Sequence, residues 1–316
     1  MEWILLVSGL AALILRAEGL VRGGVGLARR IGVSPALIGV TIVAWGTSTP
    51  ELVVSVDAAL KGIDGIAVGN VVGSNIANVL LILGLAATIA PIAVDPRAVR
   101  RDTLASLGAS ALFIGVALTA PFLTLWHGLA FLGLLAALTV GTWLHDRANG
   151  TPSAALHAAE SEEVGRVPIN PALAAAMVLG GVGLLVLGAH LLVEAAVTLA
   201  RGFGVSEVVI GLTLVAIGTS LPELVTSLVA AVRRHSDVAL GNVLGSNIYN
   251  ILAILGVASL VAPVSIPSQI SQTDMWVMLA AAVAVLPAML DGKVGRPLAL
   301  AMLAGYAAYV GLLIRG

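Results

Sequence analysis

The sequence predicts an all-α membrane protein. Ten transmembrane helices form two inverted five-helix repeats, with broken helices at the midplane. Three observations predict this. First, 59% of the 316 residues are hydrophobic and 10% are charged, against about 25% charged in ordinary soluble chains. Second, the apolar residues gather into runs long enough to cross a bilayer as helices. These runs lack the period-two alternation of a membrane strand, so helices rather than a closed barrel satisfy the backbone in lipid. Third, Gly46-Thr-Ser-Thr-Pro-Glu51 returns 172 residues later as Gly218-Thr-Ser-Leu-Pro-Glu223, and the same offset carries Gly73-Ser-Asn-Ile76 onto Gly245-Ser-Asn-Ile248.

Taken in order, the spans are expected at 3–22, 33–59, 65–90, 103–120, 124–144, 171–193, 205–231, 237–260, 275–290 and 297–314, with extension of the first and sixth into their following loops left open. The first opens without a basic region, so it reads as a retained helix rather than a cleaved signal. The second, third, seventh and eighth carry the repeated motifs. The stretch from His145 to Pro171 is polar and too short to fold alone. It divides the chain into a first repeat at 1–144, a linker at 145–170 and a second repeat at 171–316. Five spans per half is an odd number, so the second half enters the membrane from the opposite side. Such inverted repeats place their sites near the midplane, where the halves meet.

Basic residues set the orientation. When the loops are numbered alternately, one set holds every Lys and Arg except Lys61, Arg201 and Arg315. The basic side is cytoplasmic. Both termini then face outside, in a multi-pass protein of the cell membrane whose linker is cytoplasmic. A net charge of −1 gives no sign of a nucleic-acid partner, and the absence of cysteine excludes disulfides and thiolate metal sites. The expected partner is the lipid bilayer, and the chain is expected to work as a monomer.

The repeated motif carries the chemistry. A charge at the bilayer centre costs roughly 2.5–3.5 kcal/mol, and Glu51 and Glu223 have no Lys or Arg within their spans. Their partner should be a bound cation or protons. The plainer reading is a protonated glutamate hydrogen-bonded within the bundle. Pro50 and Pro222 lack an N–H, so they free the carbonyls of Gly46 and Gly218, and freed carbonyls at this depth line a protein cavity. Thr47 and Ser48 lie four and three residues before Glu51, on the same helical face if the helix were continuous. Asn70, Ser74 and Asn78 form one polar stripe on the next helix, and Asn242, Ser246 and Asn250 repeat it. Ligation is favoured for the serines and for Asn78 and Asn250. For Asn70, Asn75, Asn242 and Asn247, interhelical hydrogen bonding stands level with it. The set is all oxygen, which suits hard cations such as calcium or sodium. Two carboxylates balance one divalent ion or two or more sodium ions, so mutually exclusive loads would couple the two fluxes.

These motifs resemble the calcium/cation antiporter superfamily, and within it the prokaryotic sodium/calcium exchangers. The two signature repeats correspond to Gly39–Leu85 and Gly211–Leu255. The resemblance implies an antiporter, not an enzyme, which exchanges calcium for sodium by alternating access. It implies no prosthetic group, calcium and sodium being the transported substrates. It implies that Glu51, Glu223, Thr47 and Thr219 hold calcium. The same carboxylates with Ser48, Ser74, Ser220, Ser246 and the carbonyls of Ala44 and Ala216 would form the sodium sites. Asn78 and Asn250 would take the central position, and the first and sixth helices would slide as a gate. Family members often carry an aspartate where this chain has Asn250, which bears on stoichiometry and counter-ion.

The alternative within this class is a proton/calcium exchanger, or one using another cation, at the same site. From other classes, an intramembrane hydrolase using Ser48 or Ser220 needs a His or Lys base that these spans lack. A passive channel conflicts with such dense ligation. Outside the motifs, His190 and Glu194 read as an interfacial hydrogen bond in preference to a second metal site. Trp126, His127 and Trp143 read as interfacial anchors. Ser206-Glu207 and Ser236-Asp237 read as helix N-caps. Asp57 and Asp64 flank an outer loop.

Overall fold

The computed structural model describes residues 2–30, 44–149, 170–233 and 235–315. Within them the chain is helical apart from two short strand pairs. The first half holds α1 (Glu2–Arg30), α2 (Ala44–Thr47), α3 (Thr49–Leu60) and α4 (Asp64–Ala77). A π-helical turn at Asn78–Leu83 joins α4 to α5 (Gly84–Ile89), and α6 (Pro96–Thr119) and α7 (Leu125–Asn149) follow. The second half holds α8 (Pro171–Phe203), α9 (Glu207–Ile210), a π turn at Gly211–Val215, α10 (Ala216–Thr219) and α11 (Leu221–Val232). Next come α12 (Ser236–Tyr249), a π turn at Asn250–Ile254 and α13 (Leu255–Val261). A further π turn at Ile270–Asp274 opens α14 (Met275–Val283), and α15 (Leu286–Asp291) and α16 (Arg296–Arg315) close the chain.

Among the described residues, seven helices are long and apolar enough to cross a membrane. Counting Glu207–Thr219 and Leu221–Val232, bent by 49° at their junction, as one span makes eight. Two of the ten expected spans fall outside this count. The first has a shorter apolar stretch, Trp3–Leu13, and residues 33–43 of the second lie outside the described residues, as do 150–169 of the linker.

Burial separates the helices into centre and shell. The Asp64–Ile89 span is 89% buried and Val238–Val261 78%, whereas Leu125–Leu144 is 17% buried. The motif-bearing third and eighth spans therefore form the core of the bundle. Close approach there depends on glycine. A Cβ on Gly73 would lie 2.5 Å from the Leu212 carbonyl oxygen, and one on Gly211 would lie 2.9 Å from that of Gly65. Helix α4 of the first half thus packs backbone-to-backbone on the π turn at Gly211–Val215 of the second. Helices α1 and α8 form a separate antiparallel pair, in contact at Gly9 with Gly188 and again at Gly23 with Ala174.

Two antiparallel strand pairs also join the halves. β1 (Ile92–Ala93) pairs with β4 (Lys293–Val294), and β2 (Phe122–Leu123) with β3 (Val264–Ser265). An offset of 172 exchanges one pair for the other to within a residue.

Helix α8 takes the extension left open for the sixth span, running past 193 to Phe203, and stops at Gly204, whose φ of 64° is open to glycine without steric cost. Two boundaries differ from expectation. The ninth span begins early, as the π turn at Ile270. Ser206 caps α9 by accepting from the Val209 N–H at 3.2 Å, but Ser236 does not cap α12. His235 holds that position, its N–H turned back onto the Ala230 carbonyl at 2.8 Å, so Ser236 is already helical.

Candidate cation site

Each acidic motif lies at a break between two helical pieces. Ser48 (φ −85°, ψ 7°) separates α2 from α3, and Ser220 (φ −81°, ψ 10°) separates α10 from α11. Pro50 and Pro222 follow in the first turn of the new helix, where a missing N–H costs no hydrogen bond. Glu51 and Glu223 occupy the same first turns, at a helix end whose dipole favours negative charge. Both glutamates are 0% exposed.

The breaks send the serines across the molecule. Ser48 and Glu51 do not pair as continuous helical spacing predicts. Ser48 Oγ donates to Glu223 Oε1 at 3.3 Å, and Ser220 Oγ donates to Glu51 Oε1 at 2.9 Å. A ψ near zero at each serine rotates the preceding turn out of register with the helix that follows, so the i, i+3 relation is lost and the opposite half is met instead. Ser246 Oγ adds a donor to Glu223 Oε1 at 3.3 Å. The two acids are thereby tied to one locus by reciprocal bonds between the repeats.

Asparagines brace the acids from behind. Asn70 Nδ2 donates to the Glu51 carbonyl at 3.2 Å and to Ser55 Oγ at 3.0 Å. Asn242 Nδ2 does the same for the Glu223 carbonyl at 3.2 Å and Ser227 Oγ at 2.9 Å. Of the two sequence readings of Asn70 and Asn242, the hydrogen-bonding one is observed. Ser55 and Ser227 were not singled out from the sequence, although they stand at the 172 offset, one turn past each glutamate.

Of the remaining predicted residues, Thr219 and Ser74 meet the Ala216 carbonyl. Thr219 Oγ1 donates to Asn70 Oδ1 at 3.0 Å and lies 3.3 Å from the Ala216 carbonyl. Ser74 Oγ reaches the same carbonyl at 3.5 Å. Thr47 ends α2 and is half-buried, and Ala44 begins that helix. Asn78 and Asn250 open equivalent π turns, and both are buried. Asn78 Nδ2 donates to Asn247 Oδ1 at 3.0 Å and Asn250 Nδ2 to Asn75 Oδ1 at 2.9 Å.

Four oxygens in this region are buried and have no hydrogen-bond partner: Oε2 of Glu51, Oε2 of Glu223, Oδ1 of Asn78 and Oδ1 of Asn250. A buried acceptor without a donor costs about 1–3 kcal/mol, more when charged, so each calls for a donor, a proton or a cation. Among the described residues neither glutamate makes an ion pair, and no three or more acids and histidines are grouped so that they could hold a metal ion. Two carboxylates with neutral amide, hydroxyl and carbonyl oxygens make a donor set for a hard cation.

Away from this locus, His190 Nε2 lies 3.2 Å from Glu194 Oε1, the hydrogen bond expected of that pair. Lys61 Nζ joins it at 2.9 Å from His190 Nδ1 and 2.8 Å from Asp57 Oδ2. Asp64 Oδ2 accepts from the Ser265 N–H at 3.0 Å, and exposed Trp126 stands beside His127, whose Nδ1 accepts from the Thr124 N–H at 3.1 Å.

An all-helical membrane bundle with two pseudo-symmetric acids in a buried, oxygen-lined centre defines a multi-pass cation transporter. The profile of the sodium/calcium exchanger protein family matches residues 1–144 and 173–315, and the chain belongs to that family of cation/calcium antiporters. It is 41% identical over 286 residues to the putative antiporter CaxA of Alkalimonas amylolytica, covering 90% of this chain and 88% of that one. It is 32% identical over 302 residues to the sodium/calcium exchanger MaX1 of Methanosarcina acetivorans, with 84% of each covered. The fold matches the sodium-calcium exchanger NCX_Mj, from a crystal soaked with Na+ and Sr2+, at a TM-score of 0.65 and 30% identity, covering 98% of this chain and 97% of that one.

Proposed function

We propose that this antiporter exchanges calcium for sodium by alternating access at one site shared by Glu51 and Glu223. The observation that carries this reading is the reciprocal tie of the two buried acids through Ser48 and Ser220, with four unpartnered oxygens around them. Two carboxylates at low dielectric repel one another unless a cation lies between them. One calcium balances both charges, as do sodium ions, and the two loads exclude each other. A loaded site is then favoured for passage between outward- and inward-facing states.

In this reading Glu51, Glu223, Thr47 and Thr219 hold calcium. The glutamates with Ser48, Ser74, Ser220, Ser246 and the carbonyls of Ala44 and Ala216 hold sodium, and Asn78 and Asn250 face the centre. The units are a repeat at 1–144, a cytoplasmic linker at 145–170 and an inverted repeat at 171–316, ten spans in all, with both termini outside. The separate pair of α1 and α8, in contact through glycines, suits a gate that slides against the remaining helices. MaX1, a sodium/calcium exchanger by name, and the Na+- and Sr2+-soaked NCX_Mj support sodium and an alkaline-earth ion as the cargo.

Calcium-45 uptake into proteoliposomes loaded with sodium, potassium or acid tests the counter-ion. Uptake is expected to follow an outward sodium gradient. Uptake indifferent to sodium but driven by a pH gradient would replace sodium with protons at the same site.

A further inference from the structure

We propose that Asn75 and Asn247, whose side chains hydrogen-bond those of Asn250 and Asn78, are positioning residues that aim the carbonyl oxygens of those two amides at the cation. This deepens the proposed function by adding the central Asn78 and Asn250 oxygens to those that hold calcium, and rests on it for the identity of the ion. Two groups here have a fixed polarity. The backbone oxygens of Asn247 and Asn75 can only accept. Asn75 faces the first at 3.3 Å and Asn247 faces the second at 3.3 Å, so each must present its NH2 there. With that end committed, the other end of each side chain is a carbonyl oxygen.

Those two oxygens decide the next pair. Asn75 Oδ1 lies 2.9 Å from the Asn250 amide and Asn247 Oδ1 lies 3.0 Å from the Asn78 amide. An acceptor demands a donor, so Asn250 and Asn78 must turn their NH2 groups toward it. Their own oxygens then point the other way, and these are two of the four buried oxygens without a partner. A free asparagine amide could offer a cation either its oxygen or its NH2, and only the oxygen binds. The Asn75–Asn247 pair removes the choice. Both asparagines are almost wholly buried, at 1% and 3% exposure, so water does not compete for their donors.

The arrangement is crossed. Asn75 of the first repeat orients Asn250 of the second, and Asn247 of the second orients Asn78 of the first. The same two residues bond each other's backbone where α4 meets α12, so each half sets the other half's ligand.

A double-mutant cycle read by equilibrium calcium-45 binding to the purified full chain tests this. Asn247→Ala is expected to weaken calcium binding by about tenfold, the scale of one hydrogen bond's worth of orientation, and to match Asn78→Ala. The Asn78→Ala, Asn247→Ala double variant should bind no more weakly than Asn78→Ala alone, because its target is gone. The mismatched double variant of Asn247→Ala with Asn250→Ala should show the two losses multiplied. A purely structural role lowers the melting temperature and multiplies in both doubles. Multiplied losses in the matched pair, or wild-type binding by Asn247→Ala, would overturn the inference. Should the alanine variants not fold, Asn247→Ser and Asn75→Ser go through the same cycle. Calcium binding without sodium-driven uptake in the wild type strikes the antiport reading alone. A multiplicative matched cycle in a calcium-binding wild type strikes this inference alone.

Discussion

The two halves of the molecule agree closely around the acids and diverge away from them. Asn70 and Asn242 each brace the neighbouring glutamate carbonyl at 3.2 Å, and the bonds from Asn75 and Asn247 to each other's backbone are both 3.3 Å. At the edges the match fails. Asp57, held by Lys61 and near His190, corresponds to an exposed Val229. Asp102 lies beside Arg101, whereas its counterpart Asp274 is buried and accepts from the Tyr309 hydroxyl at 2.9 Å. Symmetry is kept around the acids, where in the proposed function both halves present the same chemistry to one ion. It is relaxed where equivalent residues lie in different surroundings.

The largest expected effect breaks or upholds that equivalence directly. Glu51→Gln and Glu223→Gln should each abolish calcium transport in proteoliposomes while leaving a folded, membrane-inserted protein. Transport retained by one variant would show that the halves are unequal at the site. A smaller effect concerns the braces. Asn70→Ala and Asn242→Ala each remove two buried hydrogen bonds, and each should cost about 1–3 kcal/mol of stability. Thermal unfolding of the purified variants checks whether the two losses are alike, as the paired geometry requires.

The serines sharpen the comparison, because here the halves are not identical. Glu51 Oε1 receives Ser220, whereas Glu223 Oε1 receives both Ser48 and Ser246. Ser220→Ala should therefore raise the KM for calcium more than Ser48→Ala, by several-fold, as expected for a net hydrogen bond of about 1 kcal/mol. Initial rates of calcium-45 uptake decide it. The smallest effect belongs to the edge. Asp57→Val, which installs the residue of the other half, removes a partly exposed ion pair worth about 0–1 kcal/mol. It should leave calcium uptake unchanged.

How much was legible in the sequence follows the same division. The helical class and the two acids were legible because a carboxylate in a long apolar run has few physical explanations, and the 172 offset repeats it. The partner of Ser48 was not legible. Spacing along a helix predicts Glu51, and only a structure shows that the break carries the hydroxyl to Glu223. Asn70 and Asn78 with Ser74, and Asn242 and Asn250 with Ser246, were visible as polar stripes, and ligation was favoured for Asn78 and Asn250, but the roles of Asn70, Asn75, Asn242 and Asn247 were level in the sequence. Asn70 and Asn75 differ from Asn78 in which group faces them, a property of packing between helices far apart in the chain. The early start of the ninth span belongs to local turn geometry, on which composition is silent.

The account stands on one cation site shared by two acids, and equilibrium calcium-45 binding to the purified wild type, Glu51→Gln and Glu223→Gln proteins tests it most directly. It predicts one calcium per wild-type chain, displaced by sodium, and none bound by either variant. Calcium bound with undiminished affinity after loss of either carboxylate would contradict it.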